Sequence, residues 1–213
     1  MLYFFVKRTI DIFGSLFLLA IFFPLLIAVA IIIKLTSNGP LFADTPKRVG
    51  KRGTPFFAYK FRSMIVNAHK LLRTDPKYKS ALKELEQGGN YKIKRDPRVT
   101  PIGRIIRKHS IDEIPQLFNV LKGEMSIVGP RPYYQEELVK QQEKFPGTEG
   151  YVKEMLKVKP GITGYWQVTG RSDVAFDKRI EMDAYYAKRR SVLLDILILL
   201  KTPWVMISGK GAA

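Results

Sequence analysis

The sequence predicts a mainly α-helical protein with a few short strands, in which an N-terminal re-entrant membrane helix precedes a compact domain at the membrane interface. Two observations support this fold class. Residues 12–33 form an apolar run of 22 residues without a charged side chain, and most later segments repeat apolar residues at helical rather than alternating spacing. Because 213 residues can bury one sizeable core, we expect an anchor at residues 1–37 and one domain at residues 38–213.

The apolar run is long enough to cross the ~30 Å hydrocarbon layer of a bilayer. A cleaved signal peptide is the alternative, but the run exceeds the usual length and no small-residue cleavage site precedes Lys34. Basic residues flank both ends, so the positive-inside rule is best satisfied when both ends are cytoplasmic. Since Pro24 kinks a helix, we predict a re-entrant hairpin broken near Pro24, with a straight span as the alternative.

The elements after the anchor follow from apolar spacing and from turn residues. We expect short strands at residues 41–43 and 56–61, a helix pair at 66–86 interrupted at Pro76 and closed by Gly88-Gly89, helical structure at 101–121 split by Pro115, and helices at 135–144 and 176–190. Residues 192–207 are apolar but interrupted by charges, with Trp204 nearby. This pattern predicts a helix lying in the membrane interface, and a buried core helix is the alternative.

The composition limits the chemistry. There is no cysteine, and His69 and His109 are the two histidines. Disulfides, thiolate nucleophiles and cysteine zinc sites are therefore excluded, and so is an H-E-x-x-H zinc motif. The formal net charge of +17 predicts an anionic partner, which is nucleic acid, an anionic lipid surface or a phosphorylated substrate. We expect any chemistry to rest on carboxylates, amines and guanidinium groups.

The segment at residues 107–116 carries paired carboxylates. Ser110 and Glu113 have the spacing of a capping box, so one interpretation is a plain helix start. A carboxylate at a helix N-terminus is also held ionised, and phosphate binds at the same place. Asp112 is therefore a candidate nucleophile or metal ligand beside a bound diphosphate, with Arg107 and Lys108 neutralising the phosphate oxygens.

Gly129-Pro130-Arg131-Pro132 places a guanidinium group between two prolines. The prolines restrict the backbone, and a rigid arginine loses less entropy when it binds phosphate. An ordinary proline-rich turn is the alternative interpretation.

Two further segments carry weaker signals. In residues 59–64, aromatic and basic residues alternate, which on a strand would put Lys60 and Arg62 on one face, and a solvated strand edge is the alternative. Residues 159–171 contain turn-forming glycines and Trp166, and end at Arg171. That indole could stack on a base, although packing in the core or an interface is the commoner role.

Together these segments resemble the monotopic polyprenyl-phosphate phosphoglycosyl transferases, also called the bacterial sugar transferase family. The resemblance rests on Lys7-Arg8-x-x-Asp11, Lys60-Phe61-Arg62-Ser63-Met64, Ser110-Ile111-Asp112-Glu113-Ile114-Pro115-Gln116, Gly129-Pro130-Arg131-Pro132 and Pro160-Gly161-Ile162-Thr163-Gly164. It implies that Asp112 attacks the sugar-bearing phosphate of a UDP-sugar, releases UMP and forms a covalent intermediate. A polyprenyl (undecaprenyl) phosphate then displaces Asp112, as the first membrane step of glycan assembly.

The resemblance also implies roles for neighbouring groups. Glu113 would assist as a base or metal partner, and Mg²⁺ would bind the diphosphate with Asp112 as its ligand. The implied substrate-binding residues are Arg107, Pro130, Arg131, Lys60, Arg62 and, as a weaker candidate, Asp183. A metal and fixed cations offset the charge that develops in phosphoryl transfer.

The implied partners are a UDP-sugar donor, a polyprenyl phosphate acceptor and membrane lipid, with no nucleic acid, and a homodimer is possible. The implied location is the cytoplasmic face of the bacterial inner membrane. Phe23 precedes Pro24 where the family usually has Ser, so the geometry of the bend departs from the family pattern. The chain resembles the minimal catalytic form. We expect a hexose such as glucose or galactose, with N-acetylated and deoxyamino sugars left open.

Two other functions fit parts of the sequence. One is a basic binding module tethered to an anionic membrane, with salt-sensitive binding and no need for Asp112. The paired carboxylates and the proline-flanked arginine argue against it. The other is a transferase that uses a different lipid phosphate as acceptor.

Overall fold

The computed structural model describes residues 2–87, 93–170 and 174–208. The helices are α1 (Leu2–Thr36), α2 (Ala68–Thr74), α3 (Lys79–Gln87), α4 (Pro101–Lys108), α5 (Leu117–Lys122), α6 (Gln135–Lys144), α7 (Glu149–Met155), α8 (Tyr165–Thr169), α9 (Phe176–Arg189) and α10 (Val192–Ser208). The strands are β1 (Arg48–Val49), β2 (Pro55–Phe56), β3 (Ser126–Val128) and β4 (Gly161–Thr163), and 3₁₀ turns lie at Lys51–Gly53, Pro76–Tyr78 and Ile111–Gln116. The predicted class, mainly helical with few short strands, is confirmed.

Most predicted elements occur where the sequence placed them. The pair α2 and α3 is interrupted at Pro76, and α6 has the predicted bounds. The strand expected at 41–43 is reduced to an isolated antiparallel bridge between Phe42 and Phe61. The strand expected at 56–61 is reduced to β2, because the N–H groups of Tyr59 and Phe61 donate to the Asn119 side chain and the Asp112 carbonyl oxygen instead of a neighbouring strand. The predictions at Gly88-Gly89 and Arg171 lie outside the described residues.

Helix α1 is a continuous helix of 35 residues that contains Pro24. Among the described residues it is the helix long and apolar enough, by length and composition, to cross a membrane. Large apolar side chains such as Phe17 and Phe23 are exposed along it. The helix continues through Pro24, so this proline does not divide α1 into two helices, and the bend expected there stays a prediction. A long helix accommodates the one hydrogen bond that an internal proline removes.

Polar residues near the start of α1 fasten it to the domain. Asp11 is buried, and its Oδ1 accepts hydrogen bonds of 2.9 Å from the Ser126 hydroxyl and the Ile127 N–H at β3. Arg8 donates to the carbonyl oxygens of Val120 and Leu121 in α5, at 2.7 and 2.8 Å. The Lys7-Arg8-x-x-Asp11 motif is therefore a set of contacts between the anchor and the domain.

The C-terminal end of α1 also packs on the domain. Ile33 is fully buried in a cluster with Val29, Phe61 and Ile106. A straight helix of this length extends about 50 Å, yet both of its ends contact the domain. This arrangement favours the re-entrant path over a straight span, and the path and the domain boundary at residue 37 stay predictions.

The two small sheets place the loops that surround the site. Strands β1 and β2 are antiparallel, and β3 and β4 are parallel. A Cβ on Gly161 would lie 2.1 Å from the Gly129 nitrogen, and one on Gly164 would lie 2.2 Å from the Gly129 oxygen. Only glycine permits this approach. The Gly129-Pro130-Arg131-Pro132 and Pro160 to Gly164 motifs are therefore two halves of one packed unit.

Helix α10 lies with one face on the domain and the other exposed. Asp195 and Ile198 are buried, whereas Leu200, Trp204 and Ile207 are 73–76% exposed. The alternative of a buried core helix is therefore wrong. The exposed apolar face agrees with the predicted interfacial helix, although the lipid contact itself stays a prediction.

Candidate active site

A cavity of about 1000 Å³ brings together most of the predicted site residues. Those that line it are Lys60, Arg62, Arg107, Asp112, Glu113 and Arg131. Pro130 and Asp183 are outside its lining. Segments separated by up to 71 positions in the chain, from Lys60 to Arg131, thus meet in one place.

The 3₁₀ turn Ile111–Gln116 places Asp112 in the cavity wall. Ser110, directly before the turn, has φ 56° and ψ 22°, a left-handed conformation that costs a non-glycine residue about 1–3 kcal/mol. The Asp112 carbonyl oxygen accepts a 3.0 Å hydrogen bond from the Phe61 N–H. The capping-box interpretation is wrong, because the Ser110 side chain makes no cap and the Glu113 side chain contacts Lys60.

Lys60 lies between the two carboxylates. Its Nζ donates to Glu113 Oε1 and lies 3.8 Å from Asp112 Oδ2. Burial raises the pKa of Asp112 to about 6, with Glu113 adding to the rise and Lys60 and Arg107 opposing it. The sequence argument expected the turn to keep Asp112 ionised, but desolvation is the larger effect. Burial also disfavours ionised Glu113, yet Lys60 outweighs it and lowers the pKa of Glu113.

The carboxylate pair fits a substrate-bridged magnesium ion. Within residues 2–87, 93–170 and 174–208 no group of three or more His, Cys, Asp or Glu side chains could hold a metal. Mg²⁺ commonly binds through one or two carboxylates together with substrate phosphate oxygens and water. Asp112 and Glu113 supply that donor set only when a phosphorylated ligand completes it.

The loop that carries Arg131 is rigidly supported from behind. The Pro130 carbonyl oxygen accepts a 2.7 Å hydrogen bond from the Gly161 N–H, which gives Pro130 a supporting position. Asp183 is fully buried and accepts a 3.1 Å hydrogen bond from the Tyr133 hydroxyl. Burial raises the pKa of Asp183 to about 8. Asp183 thus lies behind the loop, whereas Arg131 reaches the cavity.

Arg62 is directed at the anchor rather than at the carboxylates. Its guanidinium group donates to the Ser37 and Asn38 carbonyl oxygens and to the Ser37 hydroxyl, at 2.7–2.9 Å. Lys60 and Arg62 therefore do not act together on one face of a strand, as the alternation predicted. An anion contact for Arg62 stays a prediction, and the observed contacts join the end of α1 to the domain.

Arg48, His69 and Tyr134 are among the cavity residues that were not singled out as site residues from the sequence. Arg48 belongs to the basic, glycine-containing segment at residues 47–53, which was a usable signal. Burial, together with the nearby charges of Arg98 and Arg48, lowers the pKa of His69 to about 4. His69 is therefore neutral near pH 7, and nothing in its sequence context indicated this.

The same cavity also has an apolar lining from the two exposed apolar helices. Leu18 and Phe22 contribute from α1, and Leu199, Pro203 and Met206 contribute from α10. A charged lining joined to an apolar one suits a ligand that carries both phosphate and hydrocarbon. The fold and the site thus define a protein with a candidate membrane helix and a cavity in which cationic and apolar linings meet beside buried Asp112 and partly exposed Glu113.

Sequence comparisons identify the family. The model of the family described as bacterial sugar transferase matches residues 2–209. The chain belongs to the bacterial sugar transferase family, which confirms the resemblance drawn from its motifs.

Named relatives agree with this assignment. The chain is 43% identical to an undecaprenyl-phosphate galactose phosphotransferase of Salmonella typhimurium and 41% identical to a UDP-galactose-lipid carrier transferase of Erwinia amylovora, in each case over 98% of this chain and 42% of the relative. It is 37% identical to the exopolysaccharide production protein ExoY of Sinorhizobium fredii, over 97% of this chain and 87% of that protein. The chain thus spans less than half of the first two relatives and most of the third.

Proposed function

We propose that this protein transfers a sugar 1-phosphate from a UDP-sugar to a polyprenyl phosphate and releases UMP. The observation that carries the proposal is the position of Asp112, buried in a cavity that is lined by cations and also by apolar side chains of α1 and α10. A site with both linings supports the proposal, because it would accommodate the charged donor and the phosphate end of a lipid acceptor together. The names of the Salmonella and Erwinia relatives describe reactions of this kind.

The proposed reaction has two displacements at one phosphorus atom. An Asp112 carboxylate oxygen attacks the sugar-bearing phosphorus, and the bond from that phosphorus to the bridging oxygen breaks, so that UMP leaves with the bridging oxygen. A phosphate oxygen of the lipid then attacks the same phosphorus and releases the Asp112 carboxylate. Splitting the transfer through a covalent intermediate replaces one difficult step by two easier ones.

The surrounding residues have distinct tasks in this scheme. Lys60 lies close to both carboxylates and can hold Asp112 in place while offsetting charge near the reacting phosphate. Arg107 and Arg131 would bind phosphate oxygens from the cavity wall, where charge-assisted hydrogen bonds are strong. Asp112 and Glu113 would hold Mg²⁺ with the diphosphate, and the ion would neutralise phosphate charge when bound.

The apolar surfaces support the choice of a membrane acceptor. Both ends of α1 contact the domain, so a re-entrant anchor would hold the cavity at the cytoplasmic face of the bacterial inner membrane. The exposed face of α10 would rest in the interface. A polyprenyl phosphate could then reach Asp112 from the lipid while the soluble donor enters from water.

Galactose is the first sugar to test, because two relatives are named for galactose transfer. Purified protein in nanodiscs should release UMP from UDP-galactose over many turnovers when undecaprenyl phosphate is present, and at most one UMP per protein without it. Other UDP-hexoses and other lipid phosphates in the same assay test the alternative sugars and the alternative acceptor. A protein that binds membranes but releases no UMP from any donor would support the non-enzymatic module.

The role of Asp112 has a direct test. Asp112→Asn removes the nucleophilic charge but keeps the side-chain volume, so UMP release should be lost. Glu143→Gln is the matched control, because Glu143 is exposed on α6. Radiolabelled sugar donor without acceptor should label the wild-type chain on Asp112. Turnover by wild type that never labels this residue would refute the covalent mechanism.

A further inference from the structure

Two arginines in the cavity wall lack carboxylate partners. Arg48 and Arg131 both line the cavity, and within the described part of the chain neither guanidinium group lies within 4.0 Å of a carboxylate oxygen. A buried arginine is normally paired, because removing its charge from water is costly. Arg48 is buried and Arg131 is partly buried, and two such cations in one cavity indicate an anion that the protein binds from outside.

The backbone sets Arg48 opposite Tyr134. Arg48 pairs with Phe56 on one side, as part of β1, and forms an antiparallel bridge with Tyr134 on the other. The neighbouring Val49 N–H donates to the Tyr133 carbonyl oxygen at 2.9 Å. Side chains directly opposite each other in an antiparallel pair lie on the same face. The arginine and the tyrosine ring are thereby brought together by the loop that also carries Arg131.

Side-chain contacts then fix the orientation of the guanidinium group. Its carbon atom lies 3.4 Å from the centre of the Tyr134 ring, which is a close stacking contact. Nη1 donates to the Pro132 carbonyl oxygen at 2.9 Å, whereas the buried Nε has no partner. The guanidinium plane is therefore held by the Tyr134 ring on one face and by the Pro132 carbonyl oxygen at Nη1, while its other N–H donors remain for a ligand.

The charged groups around Arg48 do not provide it with an ion-pair partner. Burial is the main reason that the pKa of Arg48 is lowered, and Arg131 lowers it further. Tyr134, Glu137 and Glu113 act in the opposite direction. Glu137 is itself buried at the start of α6 and faces the Tyr134 N–H, and Glu113 is paired with Lys60. An anion between the two arginines would relieve their repulsion.

We propose that Arg48 binds the diphosphate of the nucleotide-sugar donor together with Arg131, and that Tyr134 is a positioning residue that holds the Arg48 guanidinium flat. This inference rests on the proposed function and adds a donor-binding residue to it. The planar fork and the stacking contact explain an arginine at this position, because a lysine offers neither.

Arg48→Met tests the proposal by removing the guanidinium group and keeping an apolar stem. KM for the UDP-sugar and the dissociation constant of UDP should both rise roughly 10- to 100-fold, the effect of losing hydrogen bonds to a charged group. Arg48→Lys should show much of this loss. Added guanidinium ion should restore part of the activity of Arg48→Met. Arg104→Met is the control for net charge, because Arg104 is exposed on α4.

Tyr134 is tested by a matched pair. Tyr134→Phe keeps the ring and should bind UDP as wild type does, whereas Tyr134→Leu removes the stacking partner and should weaken UDP binding in the same direction as Arg48→Met. Thermal unfolding shows whether each variant is folded. If Arg48→Met does not fold, Arg48→Lys and Tyr134→Leu test the proposal in its place.

UDP binding by calorimetry separates this inference from the proposed function. A wild type that binds UDP but transfers no sugar would overturn the proposed function alone. Folded Arg48→Met and Arg48→Lys variants that bind UDP as tightly as wild type would overturn the role of Arg48. Equal binding by Tyr134→Phe and Tyr134→Leu would overturn the role of the ring.

Discussion

Asp11→Ala gives a quantitative test of how the anchor is joined to the domain. Asp11 is buried in α1, and its Oδ1 accepts from the Ser126 hydroxyl and the Ile127 N–H, both at 2.9 Å. Alanine leaves both donors buried without an acceptor. Asp11→Asn is the control, because its amide oxygen can accept the same two hydrogen bonds.

The magnitude follows from these two donors. An unsatisfied buried group costs about 1–3 kcal/mol, so leaving two donors unsatisfied in Asp11→Ala should lower the free energy of unfolding by roughly 2–6 kcal/mol. For a chain of this size the thermal midpoint should then fall by roughly 4–24 °C, since each kcal/mol shifts it by about 2–4 °C. Asp11→Asn should stay within about 1 kcal/mol of wild type.

Thermal unfolding in nanodiscs, followed by circular dichroism, measures these shifts. Because β3 leads directly into the loop that carries Arg131, UMP release should fall together with the midpoint in Asp11→Ala. An Asp11→Ala midpoint equal to that of wild type would refute the reasoning. So would an equal loss in the alanine and asparagine variants, since charge rather than hydrogen bonding would then be responsible.

Two further predictions concern residues that the site geometry separates from the carboxylates. Arg62→Met should lower the thermal midpoint, because it removes the hydrogen bonds to Ser37 and Asn38. KM for the UDP-sugar should change less than about twofold. A raised KM with unchanged stability would instead show that Arg62 contacts the anionic donor. The pKa of Asp183 is about 8 in the folded chain against 3.8 for the free group, so its contribution to stability is fully present below about pH 4 and is lost as pH rises towards 8. Denaturant unfolding of wild type and Asp183→Asn measures the free energy of unfolding across this pH range. In wild type it should fall with pH by at most about 1.4 kcal/mol per pH unit, and in Asp183→Asn this fall should be absent. Parallel plots of the free energy of unfolding against pH for the two proteins would contradict the prediction.

Sequence reasoning located the elements because their signals are local. An uncharged run of 22 residues defines an apolar helix whatever packs beside it, and helical spacing places α6 at its observed bounds. The wrong predictions concern side chains whose local sequence pattern suggests one contact, whereas a residue distant in the sequence provides the actual partner. Ser110 and Glu113 match a capping box, but Glu113 pairs with Lys60 instead.

The sequence by itself determined the apolar anchor, the helical class and the motifs that define the family. Only the tertiary structure decided which motif residues face the cavity: Lys60 meets Asp112, whereas Arg62 turns to the end of α1. It also brought Arg48 against Tyr134. The physical reason is that burial and helix propensity depend on near neighbours, whereas the partner of a charged side chain is set by packing between segments far apart in the chain.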